Sequence, residues 1–578
     1  MTDALSRFKQ VFLVDFEYSV VDGGQPVEIC MVAAEWRTGA TRRFWQTELR
    51  EFSTPPIELS DETLFVAYFA SAEFGCFLAL GWARPPNVLD LFVEFRNSTN
   101  GLTLPTGNSL LGALAFHGLP FMTGEEKDSM RALALRGGPW TIEEQGMLLA
   151  YCESDVRALG LLLGSMVDSL DVERALLRGR QMWSVAEMER RGIPIDVSML
   201  ALLRDNWDEV RAQLVRDLDE KFNVFEGGSF RLAKLREFLV AHGIEWPEDQ
   251  HGRLVVNDAV VKAQALRYPQ LAALRVGRQA LAQLKPPTLP VGADRRSRSM
   301  LSPFSSKTGR NQPRTKNFVF GWPSWFRRLV APDLGQSIAY IDWEQQEFGI
   351  AAALSGDVAM LAAYESGDPY LDFARQAGAV PQGATKDSHA GQRELYKQCA
   401  LGVIYGMTPV GLAARIGQPL EGARQLLRTH QNTFPDFWDW SDAIVYSART
   451  TGRLVSTFGW QQLVTDATND RSLRNYPMQA NGAEMLRLAI MFAQDEGVAV
   501  CAPVHDAILI EAATVQISSA VEIASAAMAE ASALVLGGLR LRTEAEIVDG
   551  PNHFPGRDPA GIWALVSRAA AERRSGNP

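Results

Sequence analysis

The sequence predicts a multidomain fold of mixed α/β and α+β type, and three observations carry that expectation. The first 170 or so residues run strands first and helices after. Residues 184–278 are patterned mostly for helices. Beyond a basic Pro/Gly/Ser-rich stretch, a strand leads into a long helical region, and two strands joined by a tight turn come after it.

Each element has its own reason. VFLVDFEYSVV (11–21) is an apolar run carrying two acids, which reads as a buried strand. VEICMVAAEW (27–36) is a second strand and RRFWQTEL (42–49) a third. Helical patterns cover about Asp61–Leu80 and Ile142–Leu170. PPTLPVGADRRSRSMLSPFSSKTGRNQPRTK (286–316) is a loop or linker by composition. QSIAYID (336–342) is a strand, EQQEFGIAAALSG (344–356) a helix, and helices continue to about Thr450. VAVCAPVH and AILIEA form a hairpin whose turn carries His505 and Asp506. No repeat with a period of 20–50 residues is present.

A chain of 578 residues suggests about four domains or subdomains. With 22% charged and 47% hydrophobic residues it is neither disordered nor fibrous. The net charge of -11 argues, taken alone, mildly against a nucleic-acid partner. The distribution reverses that reading. Between Arg275 and Arg328 stand twelve cations: Arg275, Arg278, Lys285, Arg295, Arg296, Arg298, Lys307, Arg310, Arg314, Lys316, Arg327 and Arg328. They face one acid, Asp294, as a phosphate-binding stripe requires. The five scattered cysteines form no C-x-x-C pair, which excludes a disulfide framework or zinc ribbon and fits a reducing compartment. The first apolar run is too short for a signal peptide, and no stretch is long enough for a membrane span, so no membrane partner is expected.

Two groups of acids carry the chemistry. Asp15 and Glu17, two apart on a strand, share a face and repel unless a cation joins them. Tyr151 and Asp155 stand one helical turn apart. Asp342 ends the strand QSIAYID, and Asp506 sits in the hairpin turn. Between them Arg393, Lys397, Leu401 and Tyr405 are spaced by four and line one stripe of a helix, which suits a ligand with a polyphosphate tail and a flat base.

The first group resembles the 3′–5′ proofreading exonucleases, in which four acids hold two divalent metals and a tyrosine orients the attacking water. In the bacterial relatives a glycine lies eight residues and an aspartate seventeen residues past the second acid. Gly81 and Asp90 match that spacing from Glu73. The resemblance therefore makes Asp15, Glu17, Glu73 and Asp155 the metal ligands and Tyr151 catalytic, with Asp90 in support or as the rival ligand.

The whole chain resembles the family A DNA polymerases, the bacterial polymerase I and phage group. AEMERRGIPID (186–196), KTGR ending at Arg310, Asp342–Glu347, Arg393–Gly406, Asn475–Gln479 and His505-Asp506 keep the family's order. The resemblance implies an RNase H-like exonuclease domain (1–175) followed by a right-hand polymerase domain (176–578). In the latter it implies a thumb at about 176–305, a palm at about 306–355 and 470–578, and fingers at about 356–469. It implies template-directed synthesis from dNTPs on primer–template DNA with proofreading of a single-stranded 3′ end. Asp342 and Asp506 would hold two Mg2+, with Mn2+ a possible substitute. Arg393 and Lys397 would clamp the triphosphate, and Lys397 could protonate pyrophosphate. Leu401, Tyr405, Gln345, Tyr370 and Glu347, the steric gate, would surround the nucleotide. Arg310, Gln479, Asn475, His505, Arg471, Arg314 and Lys316 would contact DNA.

Five positions depart from the family. Ala507 replaces the glutamate that usually follows the second aspartate. Glu344 stands for Ser and brings a carboxylate that could replace that charge. Leu401 fills an aromatic slot, Tyr370 a histidine slot and Gly349 an arginine slot. These departures keep open two alternatives: an exonuclease without useful polymerisation, and a non-catalytic primer–template binding protein. The exonuclease strand begins too early for a separate 5′-nuclease domain, a form common in phage or mobile-element replication. The expected setting is the cytoplasm of a bacterial or phage-infected cell, and the expected state a monomer with unread replisome partners.

Overall fold

The computed structural model describes residues 3–20, 23–120, 124–284 and 287–574. The chain forms two compact units. The first gathers Met1–Gly192, Arg298–Pro313 and Gly335–Asp549, and the second Ile193–Ser297, Arg314–Leu334 and Gly550–Pro578.

The first unit holds a five-stranded sheet built from β1 (Gln10–Val20), β2 (Pro26–Glu35), β3 (Thr41–Trp45), β4 (Thr63–Ala67) and β5 (Val88–Asp90), in the order β3-β2-β1-β4-β5. β1 pairs β2 and β2 pairs β3 antiparallel; β4 runs parallel to β1 and to β5. Every residue of β4 is buried. The segment from Asp61, read from sequence as helix, therefore begins as a strand. A strand covered on both faces is an unbroken apolar run and loses the alternation that identifies strands.

Helices α1 (Ala70–Leu80), α2 (Leu91–Thr99), α3 (Gly124–Arg136), α4 (Ile142–Met166) and α5 (Val172–Arg191) surround this sheet. α4 opens with a capping box between Thr141 and Glu144, which satisfies donors at its N-terminus. Alternate residues of β1 face two cores. Val11 and Leu13 pack with Leu148, Val156 and Leu159 of α4. Phe12, Val14 and Phe16 pack with Phe74 and Phe77 of α1 and Met182 of α5.

The C-terminal part of the same unit carries a second sheet. Its elements are β6 (Gln336–Trp343), α6 (Gln346–Ser355), α7 (Pro369–Gln376), α8 (Ala390–Ile404), α9 (Asp470–Asp495), β7 (Ala499–Val504), β8 (Ala507–Ala513), α10 (Ile517–Val535) and β9 (Thr543–Asp549). The strand order is β7-β8-β6-β9, all antiparallel. His505 and Asp506 form the two-residue turn between β7 and β8, with His505 at φ 60. Strand β9 was not expected from the sequence; its TEAEIVD pattern puts acids where a strand usually shows apolar residues.

The end of α2 is tied to the backbone around Lys307 and Gln461. Asn100 Nδ2 donates to the carbonyls of Lys307 (2.6 Å) and Gln461 (2.7 Å). Arg96 donates to the Ser305 carbonyl (2.9 Å), and Asn97 Oδ1 accepts from the Gln461 N–H (2.8 Å). Gly101 (φ 102) lies so close that an added Cβ would meet the Leu463 oxygen at 2.3 Å. No side chain can stand there.

The second unit is mostly helical. Helix Ala272–Gln283 lies against Trp207–Phe222, and a Cβ at Gly277 would come within 2.4 Å of a Leu218 methyl. Among the described residues no helix is long and apolar enough to cross a membrane, and all five cysteines are buried and outside any disulfide.

Candidate active sites

β1 and α4 build the first cluster. β1 brings Asp15 and Glu17 to one face, and α4 crosses it with Asp155. One ligand oxygen from each of the three lies within 4.8 Å of the others. Burial, and then the Asp155 charge, push Asp15 up to about 8, while a hydrogen bond from Cys152 and the charge of Lys127 act the other way. Glu17 is raised for the same first reason, with Asp15 next. Asp15 and Glu17, whose charges are disfavoured by burial and crowding, are equally poised to share a cation with Asp155.

Glu73 sits on the first turn of α1 and is buried. Burial and the charges of Asp15 and Glu17 raise its carboxyl, and the Phe16 N–H donates to it. Its Oε2 and Asp15 Oδ2 are buried oxygens without a hydrogen-bond partner. Asp90 differs. Its carboxylate accepts from the N–H groups of Phe69 (3.0 Å), Ala70 (2.7 Å), Phe92 (2.8 Å) and Val93 (3.3 Å). It caps α2 and pins the start of α1, so its oxygens are committed to the backbone.

Tyr151 hydrogen-bonds Asp155, and its hydroxyl is raised above the ordinary tyrosine range by burial and by the neighbouring acids. Sequence reading passed over Lys127. From α3 its Nζ reaches Asp155 Oδ2 at 2.8 Å and stands 5.7 Å from the centre of the Tyr151 ring. Nothing local marks this lysine; the fold alone brings it there.

The second cluster lies at the ends of β6 and of the β7–β8 hairpin. Asp342 faces Ala507 across β6–β8, and Asp506 precedes Ala507 in the turn. Burial first, then Asp506, push Asp342 up to about 7, with Glu347 and Glu544 adding and the Trp343 N–H opposing. Asp506 is raised by burial and Glu347, against the lowering pull of Arg310 and His505. Asp342 Oδ1 is buried without a partner. The donors are all hard oxygens and one is unsatisfied, which fits magnesium.

Around this pair the expected residues divide. Glu347 accepts a hydrogen bond from the Tyr405 hydroxyl at 2.6 Å. Arg393 lies on α8 and donates to Asp368 at 2.5 Å. Arg393 and Lys397 both stand over the ring of Tyr370, at 5.8 and 5.9 Å. Tyr370 is itself buried, so it forms the floor beneath these cations. Leu401 is half-buried on the same helix. Glu344 does not stand in for the missing acid: its carboxylate pairs with Arg542 (3.2 Å), which also donates to Gln345 (3.4 Å). Gln345, like His505, has left-handed backbone, at φ 48. Such strain in non-glycine residues collects at functional sites.

Arg471 donates to the Tyr405 carbonyl at 2.8 Å. Arg310 lies beside α9, where a Cβ on Gly482 would meet its guanidinium at 3.5 Å. Gln479 is buried on α9, and Asn475 Oδ1 is a further buried oxygen without a partner. Buried Gln346, inside the Asp342–Glu347 segment, has both side-chain polar atoms unpartnered.

The basic stretch is divided between the units. Arg298, Lys307 and Arg310 belong to the first. Arg275, Arg278, Arg295, Arg296, Arg314, Lys316, Arg327 and Arg328 belong to the second, and Lys285 lies outside the described residues. Several of these cations are engaged internally. Arg295 pairs with Asp333 at 2.5 Å, Arg298 donates to the Arg190 carbonyl at 2.6 Å, and Arg278 stands 4.2 Å from the Phe230 ring centre.

Residues 323–553 match the family described as DNA polymerase family A. Over 342 residues the chain is 26% identical to the DNA polymerase I of Chloroflexus aurantiacus, covering 53% of this chain and 35% of that one. It is 25% identical over 447 residues to the thermostable DNA polymerase I of Thermus aquaticus, covering 71% and 51%. It is 28% identical over 186 residues to the DNA polymerase of Mycobacterium phage D29, covering 32% and 30%. The chain thus spans about a third to a half of these relatives' length. The fold is that of the POL domain of Pol1 from M. smegmatis, solved in complex with DNA primer-template and dNTP. The TM-score is 0.69 at 17% identity, with 93% of this chain and 94% of that one covered.

Proposed function

We propose that the chain is a DNA-dependent DNA polymerase with 3′–5′ exonucleolytic proofreading, serving the replication of a phage or mobile element. The observation that carries the reading is the meeting of Asp342, Asp506 and Glu347 at one sheet edge, inside the segment that matches the polymerase family. The solved neighbour's primer-template and dNTP support the same substrates here.

Asp342 and Asp506 would hold Mg2+, which when bound makes a primer 3′-hydroxyl more acidic and offsets triphosphate charge. The residues around them do the rest. Arg393 and Lys397 stand on one helical stripe and bind triphosphate oxygens, Arg393 exchanging its Asp368 partner for phosphate. Lys397 carries the proton for the departing pyrophosphate. Glu347, fixed by the Tyr405 hydroxyl, limits the space at the sugar. Arg310, Gln479, Asn475, Arg471 and His505 contact the primer–template without reading its sequence.

In the first cluster Asp15, Glu17, Glu73 and Asp155 would hold the divalent ions of the exonuclease. Tyr151 orients water at the phosphodiester of a single-stranded 3′ end, and Lys127 keeps Asp155 in place. Asp90 supports the fold of that site.

A labelled primer on a template, followed on a gel with Mg2+, tests this. Extension with all four dNTPs and shortening without them are expected. Shortening in both conditions would leave an exonuclease alone, and binding with no magnesium-dependent change a primer–template binding protein.

A further inference from the structure

We propose that Glu544 is a third carboxylate of the metal site formed by Asp342 and Asp506, reached from strand β9. The proposal rests on the polymerase reading of that site.

The geometry comes from strand register. Asp342 on β6 faces Ala507 on β8 and Glu544 on β9. Residues directly opposite in antiparallel strands point to the same face, with Cβ atoms about 4.5–5.5 Å apart. Ala507, Asp342 and Glu544 therefore form one row across three strands. On one flank the row offers a methyl group, and on the other a carboxylate on a flexible stem. Glu546, the next acid of β9 on that face, lies opposite Tyr340, a step further from the turn that holds Asp506.

Three further observations support Glu544. Asp342 Oδ1 is buried and unpartnered, an oxygen free to take a cation. The competing acid, Glu344, is held by Arg542. Among the described residues, no cation pairs with Glu544. Two aspartates carry half the charge of two divalent ions, and a third hard oxygen donor beside them tightens the site. The plain alternative is an exposed acid that keeps an edge strand from pairing with another chain.

The experiment is a Mn2+ titration followed by electron paramagnetic resonance of the free ion. It uses the full chain with Asp15→Asn to weaken the first cluster, a dideoxy-terminated primer–template and the matching dNTP. Glu544→Gln is expected to weaken Mn2+ binding about tenfold. Adding Ala507→Glu, which moves the carboxylate to the other flank of Asp342, is expected to restore it. Unchanged affinity in Glu544→Gln, with Asp342→Asn still abolishing the site, overturns the proposal. If Asp342→Asn also leaves binding unchanged, the polymerase reading of the site is what fails. Thermal unfolding of each variant shows whether it is folded; Glu544 is exposed, so the substitution leaves the core intact.

Discussion

The two carboxylate clusters both sit at strand ends, yet they are neutralised in different ways. Asp15, Glu17 and Asp155 have a protein ammonium among them, Lys127, and buried Glu73 beside them. Asp342 and Asp506 have no such ion pair among the described residues; Arg310 and His505 act on Asp506 only through their charge. One cluster supplies part of its own counter-charge, while the other waits for ligands to bring it. A chain that both removes and adds nucleotides would use that difference to keep the first site ordered when empty.

The largest expected effect breaks or sustains this separation. Asp342→Asn should lower primer extension by roughly 10³-fold while leaving primer shortening intact, and Asp15→Asn should do the reverse. Loss of both activities from either substitution would show that the clusters are not independent. Next, Glu73→Ala should lower shortening by about 100-fold with the urea midpoint little changed. Asp90→Ala should instead cost about 1–3 kcal/mol in urea unfolding, because it strands buried N–H groups. The opposite pattern would make Asp90 the ligand.

A smaller effect concerns pH in EDTA. Asp15 and Asp342, at about 8 and about 7, hold protons in the folded chain that the unfolded chain releases near 4. The folded state binds more protons in that window, so stability is greatest at its acid end and falls as pH rises towards 8. Melting temperatures in EDTA should drop by a few degrees between pH 6 and 8, less so in Asp15→Asn, and Mg2+ should remove the slope. A flat profile would mean that neighbouring cations already compensate the acids. The smallest effect is at Tyr405→Phe. Losing the bond to Glu347 should relax discrimination against a ribonucleotide about two- to tenfold in kcat/KM.

The parts legible in the sequence are those that local pattern carries. The β1 acids, the Tyr151–Asp155 turn, the strand ending at Asp342 and the hairpin at His505-Asp506 could all be placed from spacing and alternation. β4 was hidden because burial on both faces erases alternation, and β9 because acids occupy its open edge. The roles of Lys127, Asp368 and Glu544 depend on contacts across tens or hundreds of residues, which leave no trace in spacing. Tyr370 could be read as a nucleotide contact, but its burial is set by tertiary packing alone. Glu344 could be read as a spare charge only without its partner, Arg542.

Helix α2 has a consequence for anyone who would take the chain apart. Its first turn is capped by Asp90, and its far end holds the backbone around Lys307 and Gln461. Midway, Glu94 forms a buried, two-bonded pair with Arg178, both at 2.7 Å. Starting the gene at codon 176 would leave that arginine without its acid and two loops without their anchors. The N-terminal segment is thus a structural support for the backbone around Lys307 and Gln461, and the exonuclease site proposed there is better silenced by single substitutions than by deletion.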